Sequence, residues 1–419
     1  MAKVAPFKGW RYNPENINKI EDVFVPPYDV ITPDEQQQYY RKSPHSYIRI
    51  NLNNTPGSER YFSAANTLNM WIGSGILLEE DQPAIYVLSQ SFELNGTMVN
   101  RVGCICSLEL SELGETVLPH EQTIDKHLDD RYDLMKSTKA NSGQIFMCYK
   151  DDDMILEKIY NNIKSEPSIQ AALDGVDYKI WPIINEAIIE KFVNGMRSKT
   201  LVIADGHHRY KTALKYEKNH DGLDSKEVMV TLVNSKNPGM QIMPTHRIIR
   251  GIELSITDIK KEVGHFFSYN EFHGVEKLLI EMDKADSQKN ILGLYHRNSN
   301  TGLLLKFKAF DLLKSKMSDQ SRELRELDTN ILHSFLFKEV FNIDTNRQED
   351  LNYLSYLRGN KSAIKMLDKE EDYDIVCFVN PPSLDDVFNI AEGGETMPQK
   401  STYFYPKVYS GLVTRCLNK

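Results

Sequence analysis

The segment that most constrains this chain is Leu-Val-Ile-Ala-Asp-Gly-His-His-Arg-Tyr-Lys at residues 201–211. Its first four residues are apolar and two of them are β-branched, which predicts a short buried strand. Polar side chains then run from Asp205 to Arg209, and the residues that follow, up to Tyr216, have the spacing of an amphipathic helix. The pattern therefore predicts a strand, a tight turn and a helix, with a polar cluster at the turn.

The polar cluster has the composition of an anion site. A helix N-terminus carries unpaired N–H groups and partial positive charge, and Gly206 allows a sharp turn and the close approach of a ligand. His207, His208 and Arg209 add hydrogen-bond donors, and arginine can hold a phosphate with two parallel bonds. Asp205 beside such a site fits a Mg²⁺ ligand or a proton acceptor. The alternative is an ordinary solvated helix start in which Asp205 is the N-cap residue.

The composition is that of a globular protein with an acidic balance. The 419 residues include 41% hydrophobic and 26% charged residues, and the length allows two or three domains with their own cores. The net charge of −9 argues against a protein whose main role is to coat nucleic acid, although a local basic patch stays open. We therefore expect small-molecule partners rather than nucleic acid.

The cysteines and the apolar windows indicate a cytoplasmic protein. The five cysteines are an odd number, lie mostly in apolar, strand-like runs and include no second pair at zinc-ligand spacing. Free buried thiols fit a reducing cytoplasm. The first residues lack the apolar core of a signal peptide, and no window approaches the roughly 20 apolar residues of a membrane span. The sequence does not indicate an oligomeric state.

The order of predicted elements indicates a mixed α/β protein of three regions, at residues 1–110, 111–250 and 251–419. Thr32 followed by Pro33 predicts a helix start, and Asn95-Gly96 between two apolar runs predicts a β-hairpin. Residues 47–52, Tyr-Ile-Arg-Ile-Asn-Leu, alternate in polarity and predict a strand. Residues 228–233 predict a further buried strand.

A second polar stretch follows a short apolar run at residues 117–119. His120 and Glu121 can form an acid/base pair there, and the alternative is a charged surface loop. Thr123 lies in the same stretch, and we take His120 and Thr123 as candidate substrate-binding residues.

Two further segments carry candidate anion ligands. His246 and Arg247 could face the anion at the turn if their strand neighbours the predicted strand at 201–204; otherwise they are a surface pair. The loop at residues 393–407 contains glycines, Lys400 and Ser401, which can cradle an anion, although ordinary turn chemistry explains it equally well. Its spacing is not that of a Walker loop.

The residues from Ile203 to Tyr210 resemble the phosphate-binding motif of the ParB/sulfiredoxin superfamily, in which a strand ends in a Gly-x-His/Arg-Arg turn at a helix start. They are more similar to the motif of free serine kinases built on that fold, which have a glutamate on an early loop and a later Asp-Gly-His-x-Arg turn. Residues 119–121, Pro-His-Glu, resemble the first element, and residues 205–209 resemble the second. The gap between the two elements is wider than in the smaller archaeal kinases, which implies an insertion around residues 150–180.

The whole chain is also similar to a widespread prokaryotic family of about this length. The similarity includes Ala-Pro-Phe at residues 5–7, Pro-Pro-Tyr-Asp-Val at 26–30 and Met-Pro-Gln-Lys-Ser-Thr-Tyr-Phe at 397–404. Members of this family act as pyrophosphate-dependent serine kinases, and relatives use ATP or ADP. The resemblance implies a ParB/sulfiredoxin-like core with additional N- and C-terminal α/β regions.

The activity that the resemblance implies is phosphorylation of free L-serine to O-phospho-L-serine, with pyrophosphate as the donor and Mg²⁺ as the cofactor. Phosphoryl transfer depends mainly on positioning and charge neutralisation. In this assignment Glu121 is the general base, Asp205 holds Mg²⁺, and His207 is also catalytic. The assigned phosphate ligands are Gly206, His208 and Arg209, followed by second-rank ligands for the donor or the serine carboxylate at His246, Arg247, Lys400 and Ser401.

Three other functions stay open. The first is the same kinase with ATP or ADP as the donor. The second is a non-catalytic ParB-like module that binds a nucleotide or DNA, against which the acidic chain and the lack of an obvious basic recognition helix count. The third is a phosphatase or nuclease that uses the same polar cluster.

Overall fold

Strands and helices alternate along the chain, which confirms the predicted mixed α/β class. The computed structural model describes residues 1–122, 128–285, 289–345, 347, 350–359, 367 and 372–417. In chain order the strands are β1 (Val4–Ala5), β2 (Trp10–Tyr12), β3 (Leu77–Glu79), β4 (Ile85–Leu94), β5 (Thr97–Glu109), β6 (Val117–Pro119), β7 (Ala140–Asn141), β8 (Ile145–Tyr149), β9 (Ile169–Leu173), β10 (Val176–Ile183), β11 (Leu201–Asp205), β12 (Glu227–Asn234), β13 (Gln241–Met243), β14 (Thr245–Ile249), β15 (Phe267–His273), β16 (Ile291–His296), β17 (Thr301–Phe307), β18 (Leu354–Arg358), β19 (Ile375–Val379), β20 (Tyr403–Tyr405) and β21 (Arg415–Cys416).

The helices are distributed over the same ranges. In chain order the α-helices are α1 (Pro33–Lys42), α2 (Ile48–Asn51), α3 (Glu59–Gly73), α4 (Leu128–Thr138), α5 (Ile155–Asn161), α6 (Glu186–Met196), α7 (His207–Lys218), α8 (Ile256–Phe266), α9 (Val275–Lys284), α10 (Phe310–Lys316), α11 (Arg322–Arg325), α12 (Asp328–Ile331) and α13 (Leu384–Glu392). A π-helix (Leu332–Val340) continues α12, and short 3₁₀ turns lie at Ile20–Asp22, Tyr28–Val30, Asp224–Lys226 and Asp350–Tyr353.

The chain forms two compact units. Unit 1 comprises Met1–Pro119, Thr123–Gln241 and Pro406–Lys419, and unit 2 comprises His120–Gln122 and Ile242–Tyr405. The predicted boundary near residue 110 falls inside unit 1, and the one near residue 250 falls close to the change of unit after residue 241. The three-region organisation stays a prediction.

Unit 1 is built on a mixed nine-stranded sheet. Eight strands follow the order β6-β11-β8-β12-β5-β4-β10-β9, and β1 pairs with β5 outside this path. The β6–β11 and β8–β12 pairs are parallel, whereas β11 and β8 are antiparallel. Leu201 and Ile203 of β11 are wholly buried and belong to one core with Tyr210 and Ala213 of α7. The helix after β11 is therefore fixed to the sheet by its apolar face.

Unit 2 contains an antiparallel six-stranded sheet in the order β15-β17-β16-β19-β14-β18. Its two faces are covered by separate apolar clusters. One includes Phe335, Leu336 and Phe337 of the π-helix, and the other includes Leu278 and Met282 of α9. Because both faces are buried, central strands such as β19 are apolar throughout rather than alternating.

The predicted strand at residues 47–52 is wrong: the segment contains the short helix α2. Its backbone bonds are local, with Asn51 N donating to Tyr47 O at 3.0 Å and Leu52 N to Ile48 O at 2.9 Å. Ile48, Ile50 and Asn51 are all buried, and α2 packs beside α3. Alternation over six residues is too short a pattern to specify a strand, and tertiary packing decides the conformation.

Other local predictions are confirmed. β4 and β5 form the expected hairpin, and Asn95 and Gly96 have φ values of 50° and 81°, as a tight two-residue turn requires. Thr32 caps α1 with a complete capping box to Glu35, and Pro33 is the first helical residue. Strand β12 covers the predicted residues 228–233. Within the described ranges no helix is both long and apolar enough to cross a membrane.

Candidate functional site

The predicted strand–turn–helix forms at residues 201–218. β11 ends at Asp205, where its register against β8 shifts, and α7 begins at His207. Gly206 between them has a φ of 99°, which favours glycine. A Cβ atom at this position would lie 3.0 Å from Arg209 Nε, so a residue without a side chain also avoids crowding Arg209. The local sequence therefore dictates both the shape of the turn and the place of its polar groups.

Two cations hold the carboxylate of Asp205. Arg209 Nη2 donates to Asp205 Oδ2 at 2.7 Å, and Lys407 Nζ donates to Asp205 Oδ1 at 3.0 Å. Arg209 Nη1 donates to the backbone carbonyl of Gln144 at the start of β8. The side chains of Asp205, Arg209 and Lys407 are 16%, 14% and 10% exposed. They form a largely buried charge cluster with two positive groups around one negative group.

Lys407 is a member of this cluster that sequence reasoning missed. Its backbone carbonyl accepts hydrogen bonds from Tyr178 Oη at 2.8 Å and from Gln90 Nε2 at 3.1 Å. The guanidinium of Arg101, wholly buried, donates to the carbonyl of Pro406. Buried side chains of β4, β5 and β10 thus fix the segment that carries Lys407. No local pattern reveals this contact, because Lys407 and Asp205 are far apart in the sequence.

His207 and His208 are the first two residues of α7, and both are half-buried. The helix start is where backbone N–H groups lack partners within the helix. Their predicted roles, and those of Gly206 and Arg209 as phosphate ligands, stay predictions.

Tyr28, within the Pro-Pro-Tyr-Asp-Val segment, is close to the same cluster. Burial, and secondarily the charge of Asp29, raise the pKa of Tyr28 to about 12, while Arg131 and Arg209 act in the opposite direction. The guanidinium of Arg131 lies over the Tyr28 ring at 4.1 Å from its centre. Tyr28 is therefore a neutral hydroxyl at physiological pH, with charges of both signs nearby.

In unit 2, His120 and Glu121 lie on an extended segment beside Met397. Met397 N donates to His120 O at 2.8 Å, and Gln122 N donates to Met397 O at 3.0 Å. The ring of His120 is 1% exposed, and its Nε2 lies 2.7 Å from Thr402 Oγ1. Glu121 is 16% exposed, and its Oε2 lies 4.0 Å from His120 Nε2.

The structure therefore places His120 and Glu121 in different environments. His120 is buried against the Met397–Thr402 segment, whereas the Glu121 carboxylate retains some exposure. Substrate binding by His120 and base catalysis by Glu121 stay predictions. Thr123, the other candidate substrate-binding residue, lies outside the described residues.

Arg247 is wholly buried in unit 2. Its Nη2 donates to the carbonyl of Lys400 at 3.1 Å, and its Nη1 donates to the carbonyl of Thr245. Burial lowers the pKa of Arg247 to about 10, and the nearby Tyr356 and Glu121 oppose this shift. Arg247 and Glu121 thus interact favourably within one unit.

The other second-rank candidates have structural partners. His246 Nδ1 accepts a hydrogen bond from Val379 N at 3.3 Å, and burial together with Arg247 lowers the pKa of His246 to about 3. Ser401 Oγ donates to Pro398 O at 2.7 Å. Lys400 has a φ of 59°, the left-handed region.

His246 and Arg247 could face the anion at the turn only if their strand neighboured β11, and it does not. Their strand β14 pairs with β18 and β19 in the sheet of unit 2, whereas β11 pairs with β6 and β8 in unit 1. β14 therefore does not neighbour β11, because the chain leaves the first sheet after β12, and the alternative of a surface pair does not hold either, because both side chains are buried. Asp205, Gly206, His207, His208 and Arg209 come together in unit 1, and His120, Glu121, Arg247 and Lys400 belong to unit 2.

Asp205 is the predicted Mg²⁺ ligand. Among the described residues no group of three or more His, Cys, Asp or Glu side chains could hold a metal ion. Magnesium commonly takes only one or two protein carboxylates and fills its other positions with water and substrate phosphate. Both oxygens of Asp205 already accept from cations. A single carboxylate is compatible with Mg²⁺ that is bound together with a phosphate donor, and Mg²⁺ binding at Asp205 stays a prediction.

The fold and this site define a mixed α/β protein with a charged strand–glycine–helix turn of the type that binds anions. The chain belongs to the family described as protein of unknown function (DUF1015), whose model matches residues 4–330. No curated protein matches the sequence.

Solved structures match over much of the chain at low similarity. A free serine kinase variant in complex with ADP has a TM-score of 0.35 and 11% identity, and the match covers 69% of this chain and 84% of that one. A conserved hypothetical protein from Pyrococcus furiosus has a TM-score of 0.34 and 13% identity, with 69% and 87% covered. C-terminally truncated SbnI from Staphylococcus aureus has a TM-score of 0.33 and 12% identity, with 72% and 82% covered. Similarity at this level carries no argument about function.

Proposed function

We propose that this protein is a phosphotransferase that phosphorylates free L-serine, with pyrophosphate as the donor and Mg²⁺ as the cofactor. The observation that carries the proposal is Asp205, held between Arg209 and Lys407 at a strand–glycine–helix turn. This arrangement combines a carboxylate, two cations and a helix N-terminus, which are the groups that phosphoryl transfer uses. The resemblance of residues 119–121 and 205–209 to free serine kinases supplies the substrate.

The donor binds at the turn in this proposal. Arg209 and Lys407 provide positive charge for the phosphates, and the first N–H groups of α7 add donors whose dipole favours an anion. His207 and His208 at the helix start supply further donors. Because these groups are largely buried, their interactions with phosphate are stronger than they would be in open solvent.

Mg²⁺, when bound with pyrophosphate, would be held by Asp205 and would neutralise charge that develops on the leaving phosphate. The Asp205 carboxylate would then exchange one of its two cation partners for the metal. Whichever of Arg209 and Lys407 is released from Asp205 would then be free to contact a phosphate oxygen, while the other stays paired with the carboxylate. The same three side chains thus serve the unloaded and the loaded site.

Glu121 acts as the general base in this proposal. It takes the proton of the serine hydroxyl as the hydroxyl oxygen forms a bond to the attacked phosphorus, and the bond from that phosphorus to the bridging oxygen breaks. The products are O-phospho-L-serine and phosphate. Support comes from the partial exposure of the Glu121 carboxylate and its favourable interaction with the buried Arg247. His120, whose Nε2 lies 2.7 Å from Thr402 Oγ1, is the proposed substrate-binding residue beside the base.

The test is phosphorus NMR of the purified protein with L-serine and Mg²⁺, and with pyrophosphate, ATP or ADP in separate tubes. We expect O-phospho-L-serine only with pyrophosphate, and none when Mg²⁺ is replaced by excess chelator. Phosphoserine with ATP or ADP alone would keep the kinase and change its donor. Intact donors in every tube would overturn the kinase, and donor hydrolysis without serine would indicate a phosphatase.

A further inference from the structure

A small pocket lies in unit 1 beside Arg209. It is lined by side chains that include Tyr28, Asn51, Arg131, Arg209 and Thr212, and its cavity volume is about 40 Å³. A single water needs roughly 10–15 Å³ by this type of measure. The pocket therefore has room for a group of a few heavy atoms, such as a phosphate or a carboxylate, and not for a purine ring.

Two polar atoms of the lining residues are buried and have no hydrogen-bond partner among the residues that the structure describes. They are Thr212 Oγ1, on a side chain that is 3% exposed, and Arg209 Nε. A buried polar group left unpaired costs free energy, and most such groups in native proteins have a partner. Arg209 Nε can only donate, and Thr212 Oγ1 can donate as well as accept, so a ligand that accepts hydrogen bonds would satisfy both atoms.

The charge around the pocket favours a negative ligand. Arg131 lies over Tyr28, and its Nη1 donates to the carbonyl of Asn51 at 2.8 Å. Asp130 pairs with Arg131 and also with Arg60, so the carboxylate is shared by two guanidinium groups. Arg209 is paired with Asp205, which is shared in turn with Lys407. Within the described part of the chain, each of the two lining arginines thus shares its carboxylate partner with a second cation.

We propose that this pocket, which we call the Thr212 pocket, binds an oxyanion through Thr212 Oγ1 and Arg209 Nε, with Arg131 supplying additional positive charge. The inference rests on the proposed function, which supplies two candidate oxyanions. They are a phosphate of the donor and the carboxylate of serine. Arg209 connects the pocket to the Asp205 turn, because its Nη atoms bond to Asp205 and Gln144 while its Nε remains for the ligand. Thr212 is then a binding residue one helical turn beyond the polar motif.

The experiment is isothermal titration calorimetry of the full chain with inorganic phosphate, pyrophosphate and L-serine, each alone, for the wild type and for Thr212→Val. Valine keeps the shape of threonine and removes the hydroxyl. We expect about ten- to a hundredfold weaker binding of one class of ligand, the loss expected for one hydrogen bond to a charged ligand. Thr212→Ser, which retains a hydroxyl, should bind that ligand nearly as well as the wild type.

Thr231→Val is the matched control, because Thr231 Oγ1 in β12 is also buried without a partner but does not line the pocket. Weaker phosphate or pyrophosphate binding in Thr212→Val alone assigns the pocket to the donor, and weaker serine binding assigns it to the carboxylate. Equal affinities for Thr212→Val and the wild type, or no binding of any of the three ligands, would overturn the proposal. If the ligand binds in the pocket but no phosphoserine forms, the pocket proposal stands and the proposed function fails.

Discussion

At the scale of single residues, the candidate chemistry depends on side chains whose partners come from distant parts of the chain. Asp205 and Arg209 are one helical turn apart, and their contact follows from local geometry. Lys407 reaches the same carboxylate from the C-terminal segment. The sequence indicated the first pair as a polar cluster, but the third partner depends on where the last segment returns to the sheet.

Lys407→Met should weaken pyrophosphate binding by about tenfold or more, because it removes a largely buried positive charge from the proposed donor site. The fold should be little affected, since the backbone carbonyl of residue 407 keeps its bonds from Tyr178 and Gln90. The measurement is the KM for pyrophosphate together with the melting temperature. Lys218→Met, on the exposed side of α7, is the control. An unchanged KM in Lys407→Met would remove Lys407 from the donor site.

Glu121→Gln should lower kcat by about 10²–10⁴-fold, the range attributed to a general base. Its melting temperature should stay near that of the wild type, since the carboxylate is partly exposed and glutamine has a similar shape. Steady-state rates of phosphoserine formation provide the measurement. Wild-type turnover in this variant would show that another group accepts the serine proton.

At the scale of elements, the strand–turn–helix is where local sequence and tertiary structure agree most closely. The apolar run, the glycine and the amphipathic pattern were sufficient to predict β11, the turn and α7. Helix α2 shows the opposite case, because the alternating polarity of residues 47–52 predicts a strand, whereas the segment forms a short helix in which Ile48, Ile50 and Asn51 are all buried. Its packing beside α3 decides its conformation.

Gly206→Ala should destabilise the protein by roughly 1–2 kcal/mol, because the alanine must adopt a φ of 99° and its Cβ would approach Arg209 Nε. Donor binding should fall as well, since Arg209 must move. Gly73→Ala, near the end of α3 with open space around it, is the matched control and should be neutral or slightly stabilising. The comparison uses chemical denaturation of both variants. Equal stabilities would mean that the turn tolerates a side chain.

At the scale of the whole molecule, the chain distributes its candidate residues over two units. β6 ends at Pro119, the next three residues belong to unit 2, and the chain then continues in unit 1. The C-terminal residues 406–419 return to unit 1 after a long passage through unit 2. Consecutive sequence regions therefore do not correspond to compact units.

Stability should depend on pH through buried groups of unit 2. Burial, and secondarily Asp386, raise the pKa of Asp328 to about 7, while the backbone N–H of Asn290 and the charge of Lys289 oppose the shift. A carboxyl with a raised folded-state pKa stays protonated in the folded protein while the unfolded chain releases its proton. Its contribution to stability is therefore lost as pH rises from about 4 to about 7.

His246 acts in the opposite direction, because its pKa is lowered to about 3. The contribution of the neutral His246 side chain to stability is lost as pH falls below about 6.5.

Asp328→Asn should remove the first of these two effects. Relative to the wild type, the free energy of unfolding of the variant should rise by about 4 kcal/mol between pH 4 and pH 7 and change little above that, since each pKa unit corresponds to about 1.36 kcal/mol. Asparagine can still accept the hydrogen bond from Asn290 N. Urea denaturation at several pH values measures the difference, with Asp319→Asn, an exposed site, as the control. A difference that does not vary with pH would show that the carboxyl titrates normally.

The sequence by itself determined the mixed α/β class, the β4–β5 hairpin, the α1 cap and the strand–glycine–helix turn, because each follows from backbone preferences and apolar spacing within a few residues. Only the tertiary structure decided that β14 joins a second sheet, that Lys407 reaches Asp205 and that Thr212 lines a pocket with Tyr28 and Arg131. These are contacts between residues far apart in the chain. They depend on which apolar faces pack together, and a single sequence does not specify that choice locally.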